Sequence, residues 1–461
     1  MIGGRQGRAA LLAAAAIALT PVAAAAQTAP SPRAAAAATK TTFVPLGMTA
    51  NALLVEPTTP DPVRSRIVIL VAHPEDLNTF NYFFGRVLPA YGYRVMMVNT
   101  YAPERTYEGF VAPLAAAITA LRAMPGVDRI ILAGHSTGGP ELTAYQDIAE
   151  NGPAACQGAE RIYKCGDTVP ADRNQTLSLT GLPKADGLML LDSNAGAPAR
   201  TIALDPSVSE DAPRTRNPAL DMFAAANGYD AASKGGHYGA AFRTAYFAAQ
   251  AARANRLIDT AGARLAKIEA GEGLYLDDEP FVVPGSDLHV NGARLDLADL
   301  SLLSRSHAPH PVLRADGTMP TEIVTRVAAP AAQPEDQGRL YDTTLNVTVR
   351  HFLSFDALRL TSDYALTADD IRGVVWRSTA NSVPGNVEGI HVPTLVMAAT
   401  CAQHLTTSEI AFDRSAATDK TFVGVEGANH GFQPCKPEYG DTLKRTFDYV
   451  DGWLTAAGRF Q

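Results

Sequence analysis

The 461-residue chain has no Cys-x-x-Cys pair, no run of lysines and arginines, no internal repeat and, beyond its first residues, no long apolar stretch. The first absence removes the commonest signature of a structural zinc site or a dithiol centre. The second, with 47 acidic against 39 basic residues and a net charge of −8, leaves no electrostatic footprint for nucleic acid or an anionic membrane surface. The third argues against solenoids and propellers, and the fourth against a transmembrane anchor. What remains is an ordinary globular composition, 46% hydrophobic and 19% charged. The length suits one large domain with an insertion, or two domains.

The N-terminus reads as an export signal over residues 1–26. Arg5 and Arg8 form a positive start, residues 10–19 an apolar core too short to span a bilayer, and Ala24-Ala25-Ala26 a small-residue cleavage site. Residues 27–40, rich in Ala, Pro and Ser, read as a disordered linker. A secreted or periplasmic location follows. Cysteine is scarce, four residues in all, but the count is even, and an oxidising compartment favours disulfides over free thiols or a metal site. The natural pairing is Cys156 with Cys165, which bracket a short polar loop, and Cys401 with Cys435.

Between these landmarks, apolar β-type runs (residues 66–72, 93–99, 127–133 and 185–192) alternate with stretches of helical spacing (78–91, 110–124 and from 139). That rhythm predicts a mostly parallel, doubly wound sheet with helices on both faces, an α/β fold. It breaks over about residues 197–385 and resumes with strands at 392–399 and 420–425 and a closing helix at 439–457. The core is thus expected in two parts, 41–196 and 386–461. The 197–385 insertion is expected to form a large mixed cap above the sheet. Within it, Phe242, Tyr246, Phe247 and Leu257 recur at helical intervals.

Gly134-His135-Ser136-Thr137-Gly138 stands between the 127–133 strand and the helix that follows it. A Gly-x-Ser-x-Gly in that setting is a nucleophile elbow, a turn so sharp that only glycine fits beside the serine. A serine hydroxyl needs a base to take its proton. His430, in the Gly-flanked loop 426–432 between the last strand and the last helix, is the candidate.

With these residues the chain resembles the α/β-hydrolase fold family, serine esterases and lipases among them, over residues 41–196 and 386–461. The resemblance implies Ser136 as nucleophile and His430 as general base and then acid, with the triad acid between them in sequence. The family commonly places an aspartate in the loop after the strand that returns from the cap, but here that loop reads Thr400-Cys401-Ala402-Gln403-His404-Leu405. Two carboxylates remain open. Asp192 ends the strand after the serine helix, a position that some lipases of this fold use. Glu409 follows in Thr406-Thr407-Ser408-Glu409, which also fits a capping box. The oxyanion hole requires two backbone N–H groups. Thr137 is one. The loop His73-Pro74-Glu75 supplies the other from Glu75, since proline has no N–H to give.

The expected activity is a serine hydrolase that opens a carboxylic ester through an acyl-enzyme. The open alternatives are amide or peptide cleavage by the same triad, and a ligand-binding protein without catalysis. The expected partner is a small or lipid-like ester. No cofactor or metal is expected: Asp277-Asp278-Glu279 reads as a solvated loop, and His307 with His310, around Ala308-Pro309, is no ligand pair.

Overall fold

The computed structural model describes residues 38–47, 50–73, 79–100, 107–172, 175–213, 215–275, 277–286, 294–327 and 344–460. The segment read as an export signal lies outside them. Ten strands form the central sheet: β1 (Thr39–Pro45), β2 (Ala50–Pro57), β3 (Ile67–Ala72), β4 (Arg94–Thr100), β5 (Arg129–Ser136), β6 (Gly187–Ser193), β7 (Arg305–Leu313), β8 (Thr321–Thr325), β9 (Thr394–Ala399) and β10 (Lys420–Val425). Their spatial order is β1-β2-β4-β3-β5-β6-β9-β10-β7-β8. The pairings from β4 through β7 are parallel, and β1, β2 and β8 add antiparallel edges.

β3, β6 and β9 are buried along their whole length, as continuous apolar runs with helices on both faces must be. Side chains alternate strictly. Val68 and Leu70 of β3 pack with Ile118 and Leu121 of helix α1 (Glu108–Arg122), and with Tyr145 and Ile148 of α2 (Gly138–Asn151). Ile67, Ile69 and Val71 face the other way. They pack with Phe447, Val450 and Leu454 of the closing helix, whose helical part is Thr442–Leu454. The 78–91 stretch, helical in spacing, forms only Phe84–Val87 between two 3-10 turns. Pro89 sits in the second of these, and Gly92 closes it in the left-handed region at φ 98°.

The inserted segment builds its own core around α3 (Ala240–Glu269), where Tyr246, Phe247 and Leu257 are buried with Phe281, Phe352 and Trp376. It does not lie wholly above the sheet. β7 and β8 belong to it, yet Val312 and Leu313 pair in parallel with Gly424 and Val425 of β10, extending the central sheet. Val324 of β8 closes over Gly424, where a Cβ would come within 2.7 Å of it.

Glu409 holds this extension in place. It lies in α4 (Leu405–Arg414), fully buried, rather than in a capping box at its start. Its carboxylate accepts from the backbone N–H groups of His307 (2.9 Å) and Ala308 (3.2 Å), and from His310 Nε2 (2.8 Å). His307 Nδ1 stands 3.1 Å away. Burial pushes this carboxyl up, but the bonds from His310 and the two N–H groups outweigh it and leave it below its ordinary value. A depressed carboxyl stabilises the fold above its unfolded value, and that contribution is lost as pH falls through the folded value. Glu409→Ala is therefore expected to cost about 2–4 kcal/mol, since it strands three donors in a buried place. Urea unfolding at pH 7 and pH 4 checks this, and the deficit should shrink at the lower pH.

Candidate active site

The β5–α2 turn holds Ser136 in the left-handed region, at φ 53°. A Cβ on Gly134 would lie 2.6 Å from Gly139 Cα, and one on Gly138 would lie 2.3 Å from the Ala72 carbonyl oxygen. No side chain fits at either position, so the helix start packs directly on the end of β3. The Ser136 carbonyl accepts from Asn194 N–H at 2.8 Å, which ties the elbow to the turn after β6.

Asp192, at the end of β6, is fully buried and also left-handed, at φ 45°. Its Oδ2 stands 2.6 Å from His430 Nδ1, and its Oδ1 accepts from Ala399 N–H at 3.1 Å. Burial raises its carboxyl above the ordinary value, with the His430 and Ala399 contacts opposing. The His430 side chain keeps 43% exposure, so an imidazole anchored on a buried acid presents an open edge. Its loop is pinned by Asn429, whose side-chain oxygen accepts from Gly431 and Gln433 N–H at 3.0 Å each. Phe432, at φ 57°, is wholly buried behind it. Of four left-handed non-glycine residues among those described, three belong to this arrangement. Such strain persists only where the surroundings over-determine it, and it gathers at functional sites.

The two candidate acids are thus separated. Asp192 meets His430, whereas Glu409 is taken up by His307, Ala308 and His310. Thr137 stands directly before α2, its hydroxyl 3.2 Å from His73 Nε2. Glu75, the other expected oxyanion donor, lies outside the described residues. The acidic triplet closes a turn: Glu279 pairs with Arg264, and Asp278 accepts from Arg350 N–H. Cys156 is bonded to Cys165 and Cys401 to Cys435, with Cα–Cα distances of 5.6 and 6.3 Å.

Three residues not singled out from sequence surround the pair. His135, inside the elbow, donates from Nε2 to the His430 carbonyl at 2.6 Å, so its Nδ1 is left to accept from the Tyr82 hydroxyl. Burial pushes His135 down to about 3, which keeps it neutral. His404 is buried with its ring centroid 5.1 Å from that of His430. Burial first, then the charges of His430, Arg294 and Arg326, hold it well below the usual histidine range. Ligand atoms of Asp192, His404 and His430 lie within 4.8 Å of one another. That set can take a metal ion only by displacing the proton between Asp192 and His430.

The strand order and the sharp turn after β5 define the class: the chain has the α/β-hydrolase fold. No family model and no curated protein matches the sequence. Among solved structures, it is similar to a hypothetical protein from Pseudomonas aeruginosa, at 11% identity over 90% of this chain and 93% of that one, with a TM-score of 0.42. It is also similar to brefeldin A esterase, described as a bacterial homologue of human hormone-sensitive lipase, at 11% identity over 93% and 79%, with a TM-score of 0.41. A third is carboxyl esterase 2 from the mycorrhizal fungus Tuber melanosporum, at 10% identity over 93% and 88%, with a TM-score of 0.38. No helix among the described residues is long and apolar enough to cross a membrane.

Two expectations follow from the surroundings of the site. Glu141, in the first turn of α2, is buried, and burial pushes it up to about 8. It is protonated at neutral pH and brings no charge to the helix dipole, contrary to what its position in the sequence suggests. A raised carboxyl stabilises the fold fully below its unfolded value, and that contribution is lost as pH rises through the folded value. Glu141→Gln is expected to gain on the wild type by roughly 2–4 kcal/mol between pH 5 and pH 9, read from denaturant midpoints. The Cys401–Cys435 bond spans 34 residues and joins the loop holding His404 to the loop holding His430. We expect replacing both cysteines by serine to lower activity more than the roughly 4 kcal/mol of loop-closure stabilisation would suggest. Comparing kcat with the unfolding midpoint checks it, and unchanged kcat removes the idea.

Proposed function

We propose that the protein is an exported serine hydrolase that cleaves a carboxylic ester through an acyl-enzyme. The observation that carries this reading is the 2.6 Å contact between His430 Nδ1 and the buried Asp192, on the same edge of the sheet as the Ser136 elbow. A carboxylate on Nδ1 fixes the proton there and makes Nε2 the base, the tautomer that serine activation needs. Ser136 Oγ then bonds to the ester carbonyl carbon as its proton passes to His430 Nε2. The developing oxyanion is met by backbone N–H groups, Thr137 first. Collapse breaks the carbon–alkoxy bond, and the alcohol leaves with the proton from His430. Water, deprotonated by the same nitrogen, releases the acid and restores Ser136.

In this reading His135 is a positioning residue. Its bond to the His430 carbonyl sets the depth of the loop, and its neutrality avoids a second positive charge beside an imidazolium. The short Asp192–His430 contact favours a catalytic reading over a purely binding one, because it builds the acid–base pair that binding does not require. Export is supported by the N-terminal sequence and by the two disulfides.

Labelling with a fluorophosphonate probe tests the nucleophile. We expect wild type to label and Ser136→Ala to be blank; unlabelled wild type would sink the reading. Asp192→Asn is expected to lower kcat on p-nitrophenyl butyrate by about 10⁴, through the wrong His430 tautomer. Glu409→Gln should fall far short of that loss. Paired p-nitrophenyl ester and p-nitroanilide substrates separate ester from amide cleavage, and we expect the ester to be favoured.

A further inference from the structure

Four arginines among the described residues are more than nine-tenths buried: Arg161, Arg253, Arg294 and Arg326. Three of them have hydrogen-bond or ion-pair partners, although the Nε of Arg161 is also enclosed without an acceptor. Arg161 donates to the carbonyls of Ala155 and Thr379 and has Asp147 at 3.9 Å. Arg253 pairs with Glu210 and with the carbonyls of Asp205 and Pro284. Arg294 is held by both oxygens of Asp296, at 3.1 and 2.7 Å.

Arg326, 4% exposed, makes no side-chain hydrogen bond and no ion pair with any described residue, and its Nε is enclosed without an acceptor. A buried, unpaired guanidinium costs several kcal/mol by general estimates, and a fold does not retain one without reason. Among the described residues its surroundings are one carboxylate short, because the single described acid in electrostatic reach, Asp296, is already bound to Arg294.

The segment of Arg326 is also linked to the loop that holds His430. Arg326 follows β8, and the next residue, Val327, donates its N–H to the Thr400 carbonyl at 2.8 Å. Cys401 in turn donates to Ala428, two residues before His430, at 2.8 Å. Two backbone bonds thus connect the arginine's segment to the loop of the base. The charges of Arg294 and Arg326 are both felt at His404, whose ring stands 5.1 Å from that of His430. The Tyr364 hydroxyl, buried with no hydrogen-bond partner, is in electrostatic reach of the Arg294–Asp296 pair.

We propose that Arg326 anchors an anion subsite next to His430, and that the substrate carries a carboxylate besides the bond that is cleaved. A guanidinium fork grips a carboxylate through two parallel N–H···O bonds. In a site closed from water such a pair contributes far more than at the surface. The substrate class rests on the serine hydrolase reading above; the anion subsite itself does not.

Two measurements keep them apart. In the first, Ser136→Ala is titrated calorimetrically with glutarate and with glutaramide, its neutral analogue. We expect glutarate to bind at least about tenfold tighter, to weaken with added salt, and to lose that advantage when Arg326→Gln is added. Arg326→Lys should restore it in part. Equal binding of glutarate and glutaramide overturns the proposal without any arginine variant, and so does glutarate binding that a folded Arg326→Gln protein retains.

In the second, wild type is given p-nitrophenyl hemiglutarate and p-nitrophenyl valerate. We expect kcat/KM to favour the anionic ester by about tenfold or more, and the ratio to fall toward one in Arg326→Gln. A preference for valerate overturns the substrate class. If neither ester turns over and no fluorophosphonate label appears while glutarate binding still depends on Arg326, the hydrolase reading fails and the subsite stands.

Discussion

The contact between Asp192 and His430 spans 238 residues, and much of the geometry of the two core segments can be read as what it requires. A carboxylate with no exposure is costly to ionise, so it must be met from both sides. Ala399 N–H, at the end of β9, serves one oxygen and the imidazole the other. Asp192 can turn to meet both only from a left-handed backbone, and the elbow beside it adopts the same conformation at Ser136. The parallel pairing of β6 with both β5 and β9 brings these strand ends to one edge. On the far side, Asn429, Phe432, the His135 bond and the Cys401–Cys435 bridge all act on the single loop that carries His430.

The elbow could be read from sequence because its requirement is local. Two glycines are needed where a Cβ would strike Gly139 or the Ala72 carbonyl, and the flanking strand and helix announce themselves by period. The strands of the core were legible for the same reason, being continuous apolar runs. For the acid, the sequence put Asp192 first with Glu409 as the alternative, and could go no further because the two differ in what they touch across the fold rather than in their neighbours along the chain. Glu409 looked like a cap or a triad acid, and its actual partners lie about a hundred residues upstream. β7 was invisible for a different reason. Its sequence Arg-Ser-His-Ala-Pro-His-Pro-Val-Leu carries two prolines, which argue against a strand inside a sheet. Only Val312 and Leu313, beyond the prolines, join β10, and the rest pairs irregularly with β8.

That concealed extension bears on the site. The inserted segment packs a core of its own around α3, in which Tyr246 and Phe247 are buried. β7 and β8 bring part of the insertion back to the sheet and leave Arg326 beside Thr400. Glu409 fastens the same two strands to α4, so the residue that resembled a second triad acid serves to hold the platform on which Arg326 is carried.

The placing of the acid and the charge of Arg326 then belong to one argument. In the pattern this chain resembles, the loop after the returning strand commonly holds the aspartate; here it holds His404. A carboxylate in that loop would lie in reach of Arg326 and neutralise it. A histidine kept neutral by burial and by neighbouring positive charge does not. With Asp192 at the end of β6 instead, His430 keeps a carboxylate partner while Arg326 pairs with no described acid. If His430 takes up a proton as proposed, a buried positive charge near it would oppose that step. An anionic group beside Arg326 would remove that opposition, so in the proposed reaction occupancy of the proposed subsite is coupled to the proton transfer at His430.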